Sequence, residues 1–133
     1  MSDNVNHPAH YEAGPSVTIE CIDVARHLNF CRGNAFKYVW RCGKKGNVDQ
    51  AIEDLEKAIW YLYDGLRYSD AKCSNSAIGV FSLINFPTSD MFETERYNAL
   101  SSIIYNKDAL IPIDAMKGIL ESRLMEKKQN ENH

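Results

Sequence analysis

The stretch Arg32–Tyr61, RGNAFKYVWRCGKKGNVDQAIEDLEKAIWY, sets two amphipathic segments around a Gly-Lys-Lys-Gly turn. On a helix, positions i, i+3, i+4 and i+7 share a face. Asn34, Lys37, Tyr38 and Arg41 fall on that spacing, so one stripe carries an amide, an ammonium, a phenol and a guanidinium. Ala35, Val39 and Cys42 occupy a different, apolar face. The spacing predicts a helix over about 33–42, ended by Gly43 and Gly46. A longer helix follows, capped by Asn47 or Asp49 and reaching about Arg67. Its Ile52, Leu55, Ile59, Leu62 and Leu66 recur at alternating steps of three and four.

Outward from this hairpin the pattern stays helical. Residues 1–18 read as an extended arm broken by Pro8, Gly14 and Pro15. A helix over about 19–29 would turn Ile22, Ala25 and Leu28 inward. Residues 69–76 are polar and read as a linker. The apolar run 77–86 fits a short strand or a helix. Two further helices are expected, at about 93–105 with Tyr97, Leu100 and Ile104 on one face, and from Pro112 to about Lys127 with Ile113, Met116, Leu120 and Leu124 inward. The tail from Gln129 is expected to fray. The fold class is therefore mainly α, a compact helical bundle of about five helices. It divides into an arm (1–18), a helical core (19–68) and a helical C-terminal extension (69–133).

The chain has 133 residues, 44% apolar and 25% charged, as in an ordinary globular domain. A net charge of −3 and a pI near 5.8 argue against a nucleic-acid coat protein, so no long nucleic acid is expected as partner. Four cations, Lys37, Arg41, Lys44 and Lys45, nevertheless fall within nine residues, which suits a small anionic ligand. Cys21, Cys31, Cys42 and Cys73 form no CxxC pair, which gives a zinc site little support and suits reduced thiols in a cytoplasmic protein. No signal-peptide pattern and no run of ~18 apolar residues occurs, so no membrane association is expected. Trp40, Trp60 and Tyr63 exceed what a three-helix core readily hides, and a homo-oligomer is expected on that ground.

A second polar line, Asp54, Lys57 and Tyr61, stands on the long helix at i, i+3 and i+7. Leu55 and Ile59 would pack that helix on its predecessor, so the two lines can border one cleft. The plain alternative is a solvated face whose cations pair with Asp49, Glu53, Asp54 and Glu56. Residues 43–46 end a helix rather than start one, and no GxxxxGK[ST] pattern occurs, so any phosphate grip must come from side chains or from the amides opening the next helix. His7, His10 and Tyr11 make an unusual arm that could fold over a cleft. Glu20 with Asp23, and Glu53 with Glu56, are carboxylate pairs at i, i+3. Such pairs can hold Mg²⁺ on neighbouring helices, although two solvated faces are the ordinary reading.

The ordered blocks His7-Pro-x-His10-Tyr11, Ile19-Glu20-Cys-Ile-Asp23-Val24, Gly33-Asn34-Ala-x-Lys37-Tyr38-x-x-Arg41-x-Gly43-x-Lys45 and Asp54-Leu55-x-Lys57-Ala58-x-x-Tyr61 carry a resemblance. Over about residues 6–67 the chain resembles a family of small bacteriophage proteins of largely unknown function. That family is similar to the C-terminal part of a Walker-less phage T7 nucleotide kinase. The resemblance implies a nucleotide-binding phosphotransferase acting on deoxynucleoside monophosphates in the cytoplasm of an infected or lysogenic bacterial host. A nucleoside triphosphate would be the phosphoryl donor, with Mg²⁺. Lys37, Arg41 and Asp54 would be catalytic. His10, Tyr11, Asn34, Tyr38, Lys44, Lys45, Lys57 and Tyr61 would bind ligand, and Glu20 and Asp23 the metal. Asp54 or Glu20 would bind Mg²⁺ or orient the acceptor, and Tyr38 or Trp40 would stack on the base. Such catalysis is mostly positioning and charge neutralisation. The alternative is a non-catalytic protein that sequesters a nucleotide such as a host defence signal. A further one is a Mg²⁺-dependent nucleotide pyrophosphatase.

Overall fold

Side-chain oxygens that reach forward onto free backbone amides set most of the helix starts. In this computed structural model, which describes residues 10–12, 18–44, 46–68, 74–86 and 90–132, helix α1 (Cys21–Ala25) begins where Asp23 accepts from the Glu20 amide at 2.8 Å and closes a capping box. Helix α2 (Phe30–Arg41) begins at Asn29, which accepts from the Arg32 amide at 2.8 Å. Helix α3 (Val48–Arg67) begins at Asn47, accepting from the Gln50 amide at 3.1 Å. Ser74 and Asp90 do the same for α4 (Asn75–Phe81) and α5 (Met91–Tyr105). Helix α6 (Leu110–Glu131) has Pro112 in its first turn, where a missing amide proton costs nothing. Two short strands, β1 (His10–Glu12) and β2 (Thr18–Glu20), pair antiparallel with His10 opposite Glu20 and Tyr11 opposite Ile19.

The helices form two hairpins that pack side against side. Between α2 and α3 the chain reverses through Gly43 and Gly46, whose φ angles of 76° and 80° favour glycine. Helix α2 packs on α3 and α5, and α6 packs on α3 and α5, giving a square of four helices in which neighbours run antiparallel. The pairings along the α3–α6 seam run in opposite directions, Asp49 with Lys127 at 2.8 Å and Tyr63 with Lys117 at 2.6 Å. One core runs through both halves of the chain, from Val24, Phe36, Val39, Leu55 and Leu62 to Phe81, Leu100, Ile103, Ile113 and Met116. The chain is thus mainly α-helical, and among the described residues no helix is long and apolar enough to cross a membrane.

Two buried arginines lock α2 to α5 reciprocally. Arg32, in the first turn of α2, donates to the Ile103, Asn106 and Lys107 carbonyls at 2.6, 2.6 and 2.7 Å. Those groups close the C-terminal end of α5, where carbonyls lack helical partners and a positive charge is favoured. Arg96 on α5 in turn donates to the Cys42 carbonyl at the end of α2 and pairs with Glu93.

Several expectations are corrected. The helix expected over 19–29 is divided, because the backbone of Ile19 is in β2 opposite Tyr11 and Asn29 commits its side chain to starting α2. Ile22 accordingly faces out, 50% exposed, and Val24 is buried. For the run 77–86, left open between strand and helix, residues 77–81 are the end of α4, which the Ser74 cap starts. Leu66 and Leu124, expected inward, are exposed, and Tyr97 is partly exposed although its ring stacks on Phe81 at 5.9 Å. The tail stays helical to Glu131. The compact, mainly α bundle is as expected, with six helices among the described residues where about five were expected. Of the linker expected at 69–76, residues 69–73 lie outside the described residues.

Candidate functional site

A groove of about 880 Å³ opens between α1, the exposed side of α2 and the start of α3. Asn34, Lys37 and Arg41 line it from α2, Gln50 and Asp54 from α3, and Lys44 from the turn. Ile22, Ala25, Leu28, Phe30 and Trp40 supply the apolar part. The helical periodicity that put Asn34, Lys37 and Arg41 on one stripe is what delivers all three to this wall.

Asp54 is the acid in the groove lining. Its side chain is 1% exposed, while that of Arg41 is 51% exposed. Burial pushes the Asp54 carboxyl above the usual carboxylate range, and Arg41 and Gln50 counter that shift. Arg41 Nε donates to Asp54 Oδ1 at 3.1 Å and Gln50 Nε2 donates to the same oxygen at 3.4 Å. The guanidinium is therefore anchored at one edge and open to solvent elsewhere.

Three cations gather around one ring. Lys37 Nζ lies 4.6 Å, and Arg41 Cζ and Lys57 Nζ each 5.4 Å, from the centroid of Tyr38. Tyr38 stacks on Tyr61 at 6.0 Å with 15° between planes, which holds the ring across the α2–α3 seam. Lys57 pairs with Glu53 at 2.9 Å and Arg41 with Asp54. Among the described residues Lys37 has no ion-pair partner.

Lys44 stands at the inner end. Its Nζ lies 4.8 Å from the Trp40 ring, and burial lowers its pKa from 10.5 to about 7, helped by Arg96 and opposed by Cys21. Burial also pushes the Cys21 thiol up to about 12 and the Cys42 thiol up to about 11. Both are neutral small hydrophobes near neutral pH. A second cavity of about 450 Å³ lies on the far side of the turn, against α5 and α6, and shares Lys44 and Gly46 with the groove. Its arginines are committed to carboxylates, Arg96 to Glu93 and Arg123 to Glu95 and Glu126.

The expected site thus divides. Asn34, Lys37, Arg41, Lys44 and Asp54 meet in the groove, whereas Tyr38, Lys57 and Tyr61 form the adjoining ridge. Trp40, expected to stack on a base, is 2% exposed and lies under Lys44. His10 and Tyr11 belong to β1, whose pairing brings the arm backbone beside the start of α1. Lys45 and His7 lie outside the described residues. The Asp23 carboxylate turns onto the Glu20 amide within the capping box and also meets Arg26 at 3.7 Å. Among the described residues no group of three or more His, Cys, Asp or Glu side chains converges as metal ligands. Phe30 and Gln50 are among the groove residues that sequence reasoning missed, as is Arg26. Phe30 stands four before Asn34 and Gln50 four before Asp54, so extending each stripe by one turn would have found these two.

A family model described as a protein of unknown function (DUF3310) matches residues 5–63, less than half of the 133-residue chain. The matched span holds every residue that lines the groove. No curated protein and no solved structure matches the chain. The chain is similar to that family over α1, α2 and most of α3, and the helices from α4 onward lie beyond the match.

Proposed function

We propose that the groove binds the phosphates of a nucleotide and that the chain is a phage phosphotransferase of the P-loop-less deoxynucleoside monophosphate kinase type. The observation that carries the reading is the gathering of Lys37, Arg41 and Lys57 around Tyr38 at the edge of an 880 Å³ groove. Arg41 and Lys57 are each paired with one carboxylate, so Lys37 is the cation of this group that an anion would meet first. Arg41 offers its fork and Lys37 a mobile point charge, the two kinds of phosphate contact. Asp54, pinned beside Arg41, would orient the acceptor phosphate through that guanidinium. No step is assigned to Mg²⁺, because Asp54, the acid in the groove lining, is held by Arg41 and Gln50. A nucleoside triphosphate would bring most of the oxygens such an ion needs. On this reading the protein acts in the host cytoplasm as a homo-oligomer. Trp60, Tyr63 and Tyr68 on and just beyond α3 remain exposed to support the association.

One observation favours the second reading, sequestration without turnover. The carboxylate in the groove lining is already held by Arg41 and Gln50, which suits static binding better than proton transfer. The test is equilibrium binding of a nucleotide panel with and without Mg²⁺, followed by chromatography for nucleoside diphosphate formed from monophosphate and triphosphate. Tight binding with Mg²⁺-dependent product supports the kinase. Tight binding without product supports sequestration. Arg41→Ala is expected to cost about 2–4 kcal/mol of nucleotide binding while the protein stays folded. A parent protein that binds no nucleotide refutes both readings.

A further inference from the structure

Phe30 is the first residue of α2, is 74% exposed and lines the groove. Its ring meets Tyr61 edge-on at 5.9 Å, a contact that covers only a small part of it. Neither helix capping nor core packing requires an aromatic side chain there, because Asn29 supplies the cap and the core begins at Cys31 and Ala35. Phe30, Asn34, Lys37 and Arg41 follow one another at steps of four, three and four, so they lie along a single face of α2 and all line the groove. At the helical rise, Lys37 stands roughly 10 Å and Arg41 roughly 16 Å along the axis from Phe30. The stripe therefore runs from an exposed aromatic ring, past an amide, to a pair of cations, over a length that a nucleotide spans from its base to its outer phosphates. Gly33, also in the groove wall, lets α1 approach α2 closely, since a Cβ there would stand 3.3 Å from the Ala25 carbonyl oxygen.

We propose that Phe30 is the platform on which the base of a nucleoside 5′-phosphate stacks, with the ligand lying lengthwise along α2 and its phosphates at Lys37 and Arg41. This rests on the reading of the groove as a nucleotide site and adds what that reading lacks, a feature that tells a nucleotide from any other phosphate. It also replaces the buried Trp40 as the stacking residue. Stacking tolerates all four bases because each has a π face, so Phe30 confers selectivity for nucleotides as a class. The Asn34 amide, whose Nδ2 donates to the Phe30 carbonyl at 2.8 Å, borders the ring on the phosphate side.

The test compares two probes, a panel of deoxynucleoside 5′-mono- and triphosphates and inorganic tripolyphosphate, by titration calorimetry on the full chain. Phe30→Ala is expected to weaken the tightest nucleotide about ten- to hundredfold and to leave tripolyphosphate affinity within about twofold. Phe30→Trp is expected to keep nucleotide binding and to add a fluorescence signal, relative to the parent, that nucleotide quenches and tripolyphosphate does not. Nucleotide binding unchanged in Phe30→Ala overturns the proposal. So does an equal loss of both probes, which would mark Phe30 as merely structural. A parent that binds tripolyphosphate as tightly as any nucleotide overturns this inference alone and leaves an anion groove. A parent that binds neither overturns the proposed function as well.

Discussion

Lys44 is the residue whose charge the fold controls most closely. Its ammonium lies against the Trp40 ring beside a thiol, and burial takes its pKa from 10.5 down to about 7. Below pH 7 it is a cation in the groove wall, and above pH 7 it is a neutral amine. A phosphate binds the cation more tightly, so binding above pH 7 draws a proton onto Lys44 and affinity rises as pH falls. Cys21 does not interfere, since its pKa of about 12 keeps it neutral across this range. From pH 8 to pH 6 the protonated fraction of such a group rises from about 0.1 to about 0.9, so tripolyphosphate affinity should gain up to about tenfold. Tripolyphosphate also takes up a proton near pH 6, so the ratio of parent to Lys44→Gln affinity isolates the lysine and should rise up to about tenfold from pH 8 to pH 6. Calorimetry at pH 6, 7 and 8 checks this, and an equally steep profile in the variant would show that Lys44 is not the titrating group. None of this was visible in the sequence, where Lys44 and Lys45 read alike. The difference comes from burial against Trp40 and from Arg96, which stands more than fifty positions away in the chain.

At the scale of elements, the reciprocal arginine lock decides how firmly the two hairpins hold. Arg32 makes three short hydrogen bonds to the carbonyls that close α5. Each charge-assisted bond contributes about 1.5–3 kcal/mol, the three do not add, and water can reach the partly exposed carbonyls once the guanidinium is gone. Arg32→Ala should therefore cost about 2–4 kcal/mol by urea unfolding, whereas Arg67→Ala, on an exposed side chain, should cost less than about 0.5 kcal/mol. A neutral Arg32→Ala would mean that α5 is held by its apolar side chains alone. The sequence held the clue, because Arg32 stands four before Phe36 and seven before Val39, on the apolar stripe of α2. The α2–α3 hairpin was legible because periodicity, the Asn47 cap and two glycines agree, although the Asn29 cap that starts α2 was read as the end of the preceding helix. The short elements were not. A five-residue helix is too brief to show a period, and in the run from Ala77 to Phe86 apolar residues are too dense to tell a step of two from a step of three or four.

At the scale of the molecule, the family match and the folding unit do not coincide. The match ends at residue 63, within α3, yet the core continues through Phe81, Leu100, Ile103, Ile113 and Met116. Phe36 meets Phe81 edge-on at 6.1 Å, Arg32 and Arg96 tie α2 to α5, and Asp49 and Tyr63 hold α6 along α3. Residues 1–68 alone would expose one whole side of the α2–α3 hairpin and leave Arg32 without the carbonyls of α5. A chain of that length is already near the lower limit for one hydrophobic core, and here half of the core lies elsewhere. The fragment is therefore expected to lose helical ellipticity per residue, to melt without a cooperative transition and to bind no nucleotide, even though it contains every groove residue. Its remaining way to cover the exposed side is a second copy of itself, so light scattering at micromolar concentration belongs in the same experiment. A monomeric fragment that melts cooperatively would show that the C-terminal helices are an appendage. A fragment that folds only as a dimer would show instead that the face covered here by α5 and α6 can take another partner, and that the groove depends on the cover rather than on which chain supplies it.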